Sequence, residues 1–356
     1  MYYIYEYGRI PFQKYNTYYK DYTVLDLATY ILKKINIKNI KYISFGCTRM
    51  AGYGPAILQQ LLNKNHLKHM FGFLINNACA TGIYTLLDVY LKNIDHALCL
   101  CSESMTNANN ILINNELISN NYIDGFLCPQ YQKTMLDFAI QYNLIKTKYQ
   151  KKIYTKEELD KYTLNEYIKH KNAYNDLYFQ KSIIPFNNNI FENISLSDIN
   201  ISYFEKAKIL NNNLTNKTVC SLSDGAAYLK CGKNKSKAIV QIKDYMYINI
   251  DPKYTVLSSI VLMKKILKKY SLTDFDIIEF HDAFANMGLN FLDMFNNIKN
   301  YNIYGSTISS GHPISVTGLR LISNAITSLI SLDKTLALII TPSSIGHAIA
   351  IIIERI

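Results

Sequence analysis

Apolar positions along this chain alternate between two spacings. A three-to-four-residue recurrence predicts helices over Leu25 to Ile37 and Pro55 to Asn63, while the short apolar run Tyr42 to Gly46 predicts a strand. A first strand is expected near Tyr3. Phe71 to Ile75 reads as a buried strand and Thr81 to Leu91 as a helix whose apolar face is Ile83, Leu86, Leu87, Val89, Tyr90 and Leu91. After Glu103-Ser104-Met105 the texture changes to Asn-rich polar sequence up to about Gln132, then to helical patterns up to about Gln180. Within it, Thr155-Lys156-Glu157-Glu158 fits a capping box that opens a helix through about Lys171. Alternation then resumes with a strand at Ala238 to Ile242, a helix at Val256 to Tyr270, a strand at Asp276 to Phe280, a helix at Ser315 to Leu332 and strands at Ala337 to Ile340 and Ala348 to Ile353. The pattern is α/β, with two halves at residues 1–235 and 236–356 and an insertion over about 106–185.

Composition narrows the class of molecule. With 356 residues, 49% hydrophobic and 18% charged, the chain can bury a large core. A formal charge of +11 favours anionic partners, yet no basic run of five or more and no Cys/His finger speaks for nucleic acid. The Lys, Asn, Ile and Tyr bias fits an AT-rich genome, so part of the charge reflects drift. Seven scattered cysteines without a repeated C-x-x-C argue against a disulfide framework and for a reducing compartment. The spacing of Cys99-Leu100-Cys101 suits the two faces of a strand better than a metal site, and no metal is expected. No apolar run reaches the ~18 to 20 residues of a transmembrane segment. Met1 to Tyr7 lacks a targeting pattern and Glu354-Arg355-Ile356 is no peroxisomal address, so the expected location is cytoplasmic, or the mitochondrial matrix had a presequence been removed.

Candidate chemistry centres on Asn76-Asn77-Ala78-Cys79-Ala80-Thr81-Gly82, where a strand gives way to a helix. Unpaired N–H groups and the helix dipole at such a junction favour a thiolate, with thiol pKa values of about 3.5 to 7.5. Ser223-Asp224-Gly225-Ala226-Ala227, Glu279-Phe280-His281-Asp282-Ala283-Phe284-Ala285 and Gly311-His312-Pro313 follow in order. With Gly52-Tyr53-Gly54-Pro55-Ala56, Glu103-Ser104-Met105 and Gly346-His347-Ala348, they make the chain resemble the thiolase family over nearly its whole length. Within the family it is most similar to the β subunit of the fatty-acid-oxidation trifunctional complex, sharing Arg9-Ile10-Pro11-Phe12, Asp244-Tyr245-Met246-Tyr247 with Asp251-Pro252, and His in place of Asn at 281.

The resemblance implies a five-layered α-β-α-β-α fold of two duplicated halves, with an inserted loop domain covering the acyl-CoA pocket. It implies cleavage of 3-ketoacyl-CoA by CoA, coenzyme A being substrate and no cofactor being needed. Cys79 would be the nucleophile, His312 the base that activates it, and His281 the group that positions water or the oxyanion. Cys220, Gly311 and Ser343 are weaker substrate-binding candidates. A homodimer or larger oligomer is expected, with an α-type hydratase/dehydrogenase subunit as a further partner.

One departure stands out at the C-terminal end. Anchoring on Gly346-His347-Ala348 puts Ile340 where the family has a second cysteine, and Pro342, Ser343 and Ser344 where it has glycines. Ile340 cannot move the α-carbon proton, and Pro342 has no N–H for an oxyanion hole, although Ser343 or Ser344 could supply one after a one-residue shift. Two alternatives therefore stand beside thiolysis: a non-catalytic thiolase-like subunit or acyl-CoA scaffold, and a decarboxylating condensing enzyme built on Cys79, His281 and His312.

Overall fold

A computed structural model describes residues 1–113, 116–144, 152–176, 178–192, 199–211 and 213–356. Its spine is a ten-stranded sheet ordered Ile277–Phe280, Leu336–Pro342, His347–Arg355, Val240–Asn249, Tyr3–Arg9, Ser223–Gly232, Ala97–Glu103, Tyr42–Gly46 and Phe71–Ile75, with Gln13–Lys14 paired alongside Ser223–Gly232. The last three strands run parallel to one another, as do Ile277–Phe280 and Leu336–Pro342, and the remaining neighbours are antiparallel.

Alternation along each strand builds the layers. Cys99, Leu229, Ile339 and Ile351 face a central core that also holds Ile83, Leu86 and Val89 of helix Thr81–Leu91 and Leu319, Ile322 and Ile326 of helix Thr317–Ser331. Side chains of the intervening residues point the other way. Leu98 and Leu100 meet Leu27 and Ile31 of helix Val24–Lys34 and Leu58 and Leu61 of helix Ile57–Lys64, while Leu338 and Ile352 meet Ile260 and Met263 of helix Ser258–Ile266. Helices outside, two sheet halves, and a shared helix pair between them make the five layers.

Three local expectations change. Phe71–Ile75 is the outermost strand rather than a buried one: among the described residues nothing pairs beyond it, and Phe71 and Phe73 are 62% and 46% exposed. Cys99 and Cys101 share the central core face, because residues two apart on a strand point the same way. The segment expected as one helix from Val256 to Tyr270 is the end of a 3-10 turn at Pro252–Leu257 followed by a helix Ser258–Ile266, beyond which Lys268 and Lys269 close tighter turns onto Lys265 O and Ile266 O.

The inserted region is tied to the body by buried polar contacts. Its long helix, Lys156–Asn175, starts at the Thr155 capping box and sends Tyr162 Oη to Asp282 Oδ2 at 2.6 Å. Arg9 of the Arg-Ile-Pro-Phe motif pairs with buried Glu192, which also meets His170 Nε2 at 2.8 Å. Although burial raises the Glu192 carboxyl, Arg9 and His170 outweigh it and hold it down at about 2. Among the described residues, no helix is long and apolar enough to cross a membrane.

Candidate active site

Two glycines bring the chemistry together. A Cβ on Gly82 would sit 2.6 Å from Leu319 N and 2.9 Å from Gly318 Cα, and one on Gly318 would sit 2.7 Å from Ile83 N. Only backbone fits there, so the first turns of helices Thr81–Leu91 and Thr317–Ser331 touch. Cys79 lies in the 3-10 turn Ala78–Ala80 just before the first helix, after Ala78 takes the left-handed φ of +48° and Asn77 N–H donates to Thr81 Oγ1 at 2.8 Å. His312 lies just before the second helix and follows Gly311, whose φ of +86° and close approach to Ser223 Oγ leave no room for a side chain. Its N–H donates to Ser221 O at 3.0 Å. The result is a Cys79 Sγ to His312 Nε2 separation of 3.2 Å.

Glu103 ties the His312 loop to the segment that follows strand Tyr42–Gly46. Its carboxylate accepts from Arg49 N at 2.9 Å and from Ser315 N, beyond His312, at 3.0 Å. The hydroxyl of Thr317 lies 3.2 Å from Pro313 O, which can only accept, and 2.7 Å from His312 Nδ1; given to Pro313 O, its hydrogen leaves His312 Nδ1 as the donor in their contact. That leaves the His312 Nε2 lone pair facing the Cys79 thiol, the tautomer a base requires.

Burial sets the protonation states. It pushes the Cys79 thiol up to about 11, against the opposing pull of Arg49 and of the backbone N–H groups of Cys79 and Ser344. The low thiol pKa expected from the helix N-terminus is therefore corrected: desolvation outweighs Arg49 and the two backbone N–H groups. His312 is pushed well below the ordinary histidine value by burial, then by His281, Arg320 and Arg49. Burial thus favours a neutral thiol facing a neutral imidazole.

His281 follows strand Ile277–Phe280 and gives its N–H to Ile340 O at 3.0 Å. Its ring lies 4.4 Å from that of His312, and burial followed by Arg320 lowers its pKa to about 3. Cys79, His281 and His312 offer ligand atoms within 4.8 Å of one another, a spacing that would also suit a metal. Arg49 and Arg320 make the local field positive, which opposes a bound cation and favours a developing oxyanion.

The C-terminal hairpin completes the pocket. Ser343 is held in place: its N–H donates to His347 O at 2.7 Å, its hydroxyl to Asn77 O at 3.0 Å, and its carbonyl accepts from Thr255 Oγ1 at 2.8 Å. Besides that of Cys79 itself, the backbone N–H that lowers the Cys79 thiol is that of Ser344, not Ser343. Ile345 at φ +66° and Gly346 at φ +76° turn the chain after it, an unusual conformation for a β-branched residue. Ile340 is fully buried in the C-terminal core and contributes no ionisable group. Cys220 is half-buried in the segment wedged between the two histidine loops, its N–H on Ala283 O at 2.9 Å; burial raises its thiol, with Cys79 the next cause.

Beside Cys79 is a cavity of about 40 Å³ with Met135, Val256, Phe284 and Met287 among its walls. Met135 comes from the inserted region, at the start of a helix capped by Thr134 and Asp137. The pattern of the sequence had pointed to Cys79, His281, His312, Gly311, Ser343 and Cys220, but not to Gly82, Gly318, Thr307 or Thr317. The two glycines did leave a signal, since each sits in the first turn of an otherwise good helix, where glycine is costly unless something packs close.

Comparison with known proteins identifies the family. Residues 2–230 match the N-terminal domain of thiolase and residues 236–355 its C-terminal domain. A 3-ketoacyl-CoA thiolase of Vibrio cholerae is 31% identical over 159 residues, covering 41% of this chain and 41% of that protein. The mitochondrial trifunctional enzyme subunit beta of Rattus norvegicus is 30% identical over 160 residues, covering 37% of this chain and 34% of that protein. These matches thus span about two fifths of the relatives' length or less. Solved structures of an Ascaris suum thiolase in complex with coenzyme A and of human mitochondrial 3-ketoacyl-CoA thiolase each superpose with a TM-score of 0.88 at 19% identity, covering 100% of this chain and 100% and 99% of theirs. With both family domains matched in order across almost its full length, the chain belongs to the thiolase family.

Proposed function

We propose that this protein is an acyltransferase that cleaves a 3-ketoacyl-CoA with CoA through an acyl-Cys79 intermediate. The observation that carries this reading is the 3.2 Å contact between the Cys79 thiol and a His312 imidazole held in its basic tautomer. In the first half-reaction Cys79 gives its proton to His312 and attacks the 3-keto carbon. N–H groups of Cys79 and Ser344 receive the tetrahedral oxyanion, and collapse breaks the bond to the α-carbon. The electron pair leaves as the enolate of acetyl-CoA, with His281 facing its oxygen. His312 returns the proton to the α-carbon, a route that needs no second cysteine and is compatible with Ile340. In the second half-reaction CoA attacks the acyl thioester, its thiol proton passes to His312, and Cys79 is released as the thiol.

The test is CoA-dependent cleavage of a medium- or long-chain 3-ketoacyl-CoA, with intact-mass detection of the acyl adduct, by wild type, Cys79→Ala, Cys99→Ala and Cys101→Ala. Adduct and turnover are expected to vanish in Cys79→Ala and to persist in the other two. Equal loading in all three variants would overturn the assignment of Cys79. An adduct without turnover would favour the condensing reading, to be examined with malonyl donors, and neither adduct nor turnover would favour a non-catalytic subunit.

The same reading includes a homodimer. Among the described residues the edge at Phe71–Ile75 has no further strand partner and exposes two aromatic rings, a surface that soluble proteins normally cover. A second copy pairing at this edge would cover it beside Cys79's own loop. Light scattering of the pure protein should give twice the mass of one chain; elution as a monomer would count against the dimer.

A further inference from the structure

Thr307 and Arg320 lie behind His281, away from the cavity. Both are almost wholly buried, at 0% and 1% exposure. Arg320 Nη2 donates to Thr307 Oγ1 at 2.9 Å, and the same oxygen lies 2.9 Å from His281 Nδ1. A guanidinium has no acceptor, so the direction of the first bond is fixed. Thr307 therefore accepts from Arg320 and has one hydrogen of its own, which the only other contact of its hydroxyl among the described residues directs to His281. The backbone is clamped as well, with Thr307 N–H on Asp282 Oδ1 at 3.0 Å.

We propose that Thr307 and Arg320 are positioning residues that lock His281 as the tautomer protonated on Nε2, making it the N–H donor to the substrate's thioester oxygen. His312 shows the opposite polarity. Its threonine partner, Thr317, spends its hydrogen on Pro313 O and so accepts from Nδ1, leaving Nε2 bare. Two threonines thus sort two adjacent imidazoles into a base and a donor. Both rings keep the neutral state that this division of labour requires, and neither can exchange roles without reversing a buried hydrogen bond. The donor role at the substrate rests on the proposed thiolase chemistry; the tautomer assignment does not.

The experiment is nitrogen NMR of the full-length protein labelled with ¹⁵N-histidine, with His281→Asn and His312→Asn spectra assigning the two rings. Wild type should carry the proton on Nε2 of His281 and on Nδ1 of His312. A proton on Nδ1 of His281 would overturn the proposal, whether or not the protein turns over substrate. The second arm is the rate of acyl loading of Cys79 in Thr307→Val and Thr307→Ser, each checked for a wild-type melting profile. Loss of one orienting hydrogen bond typically costs about 2- to 10-fold. Thr307→Val should lose that much maximal rate with little change in the half-saturating acyl-CoA concentration, and its His281 signal should become a tautomer mixture, while Thr307→Ser restores both. A folded Thr307→Val with full loading rate and an unchanged His281 signal would overturn the lock. Absence of loading in wild type would sink the thiolase reading and leave the tautomer result standing.

Discussion

The loops carrying Cys79 and His312 occupy equivalent places at the starts of two crossing helices, yet they reach them by different means. The Cys79 loop bends through a left-handed alanine, Ala78 at φ +48°, and is pinned by the Thr81 hydroxyl. At His312 the bend falls on Gly311 at φ +86°, packed against Ser223. Burial acts on the two side chains in opposite directions, raising the thiol and lowering the imidazole, and so drives each to its neutral form. In the proposed mechanism reactivity comes from their contact, in which the imidazole gives the thiol proton a place to go.

The strongest way to break this contrast, short of removing Cys79, is to remove the N–H that the C-terminal hairpin lends to the nucleophile. Ser344→Pro should lower the rate of acyl loading by about 10²- to 10³-fold, the usual loss for one oxyanion donor, while Ser344→Ala, which keeps the N–H, should stay near wild type. Equal rates in the two variants, measured by stopped-flow or quenched mass spectrometry, would show that Ser344 is not the donor.

The crossing itself can be tested next. Gly318→Ala puts a methyl 2.7 Å from Ile83 N, a backbone atom that cannot swing aside. Overpacking of this kind costs about 1 to 3 kcal/mol, and the helices must part, lengthening the Cys79–His312 contact. Denaturant melts should show the loss of stability and labelling of Cys79 a slower reaction. A variant as stable and as reactive as wild type would mean the helices approach less closely than described.

The smallest effect sharpens the role of burial. His281 has a folded pKa of about 3 against an ordinary 6.5, so the unfolded chain binds its proton first as the pH falls. Its contribution to stability is complete above the ordinary value and is lost progressively on acidification towards the folded one. Melting temperatures taken from about pH 7 down to about pH 4 should therefore fall less steeply for His281→Asn than for wild type. Parallel curves would mean that His281 is not held neutral by the fold.

Much of the architecture was legible from pattern. Helix Thr81–Leu91 begins and ends where its apolar face predicts, the Thr155 capping box forms, and the strand at Tyr42–Gly46 has the predicted bounds, because these depend on neighbours within a turn or two of chain. The exposure of Phe71 and Phe73 was not legible, since an apolar run reads the same at the margin of a sheet as in its middle.

The sequence by itself determined which residues are candidates for the chemistry and the order of the elements that hold them, because residue type and local periodicity are properties of short stretches. Only the tertiary structure decided that Gly82 meets Gly318, that the N–H of Ser344 rather than of Ser343 lowers the Cys79 thiol, and that Thr307 and Thr317 face their histidines with opposite polarity. Each of these depends on groups from separate parts of the chain being packed within hydrogen-bonding or van der Waals distance, and no local pattern records such a distance. The same holds for the protonation states, since it is the loss of water around the assembled site that leaves both Cys79 and His312 neutral.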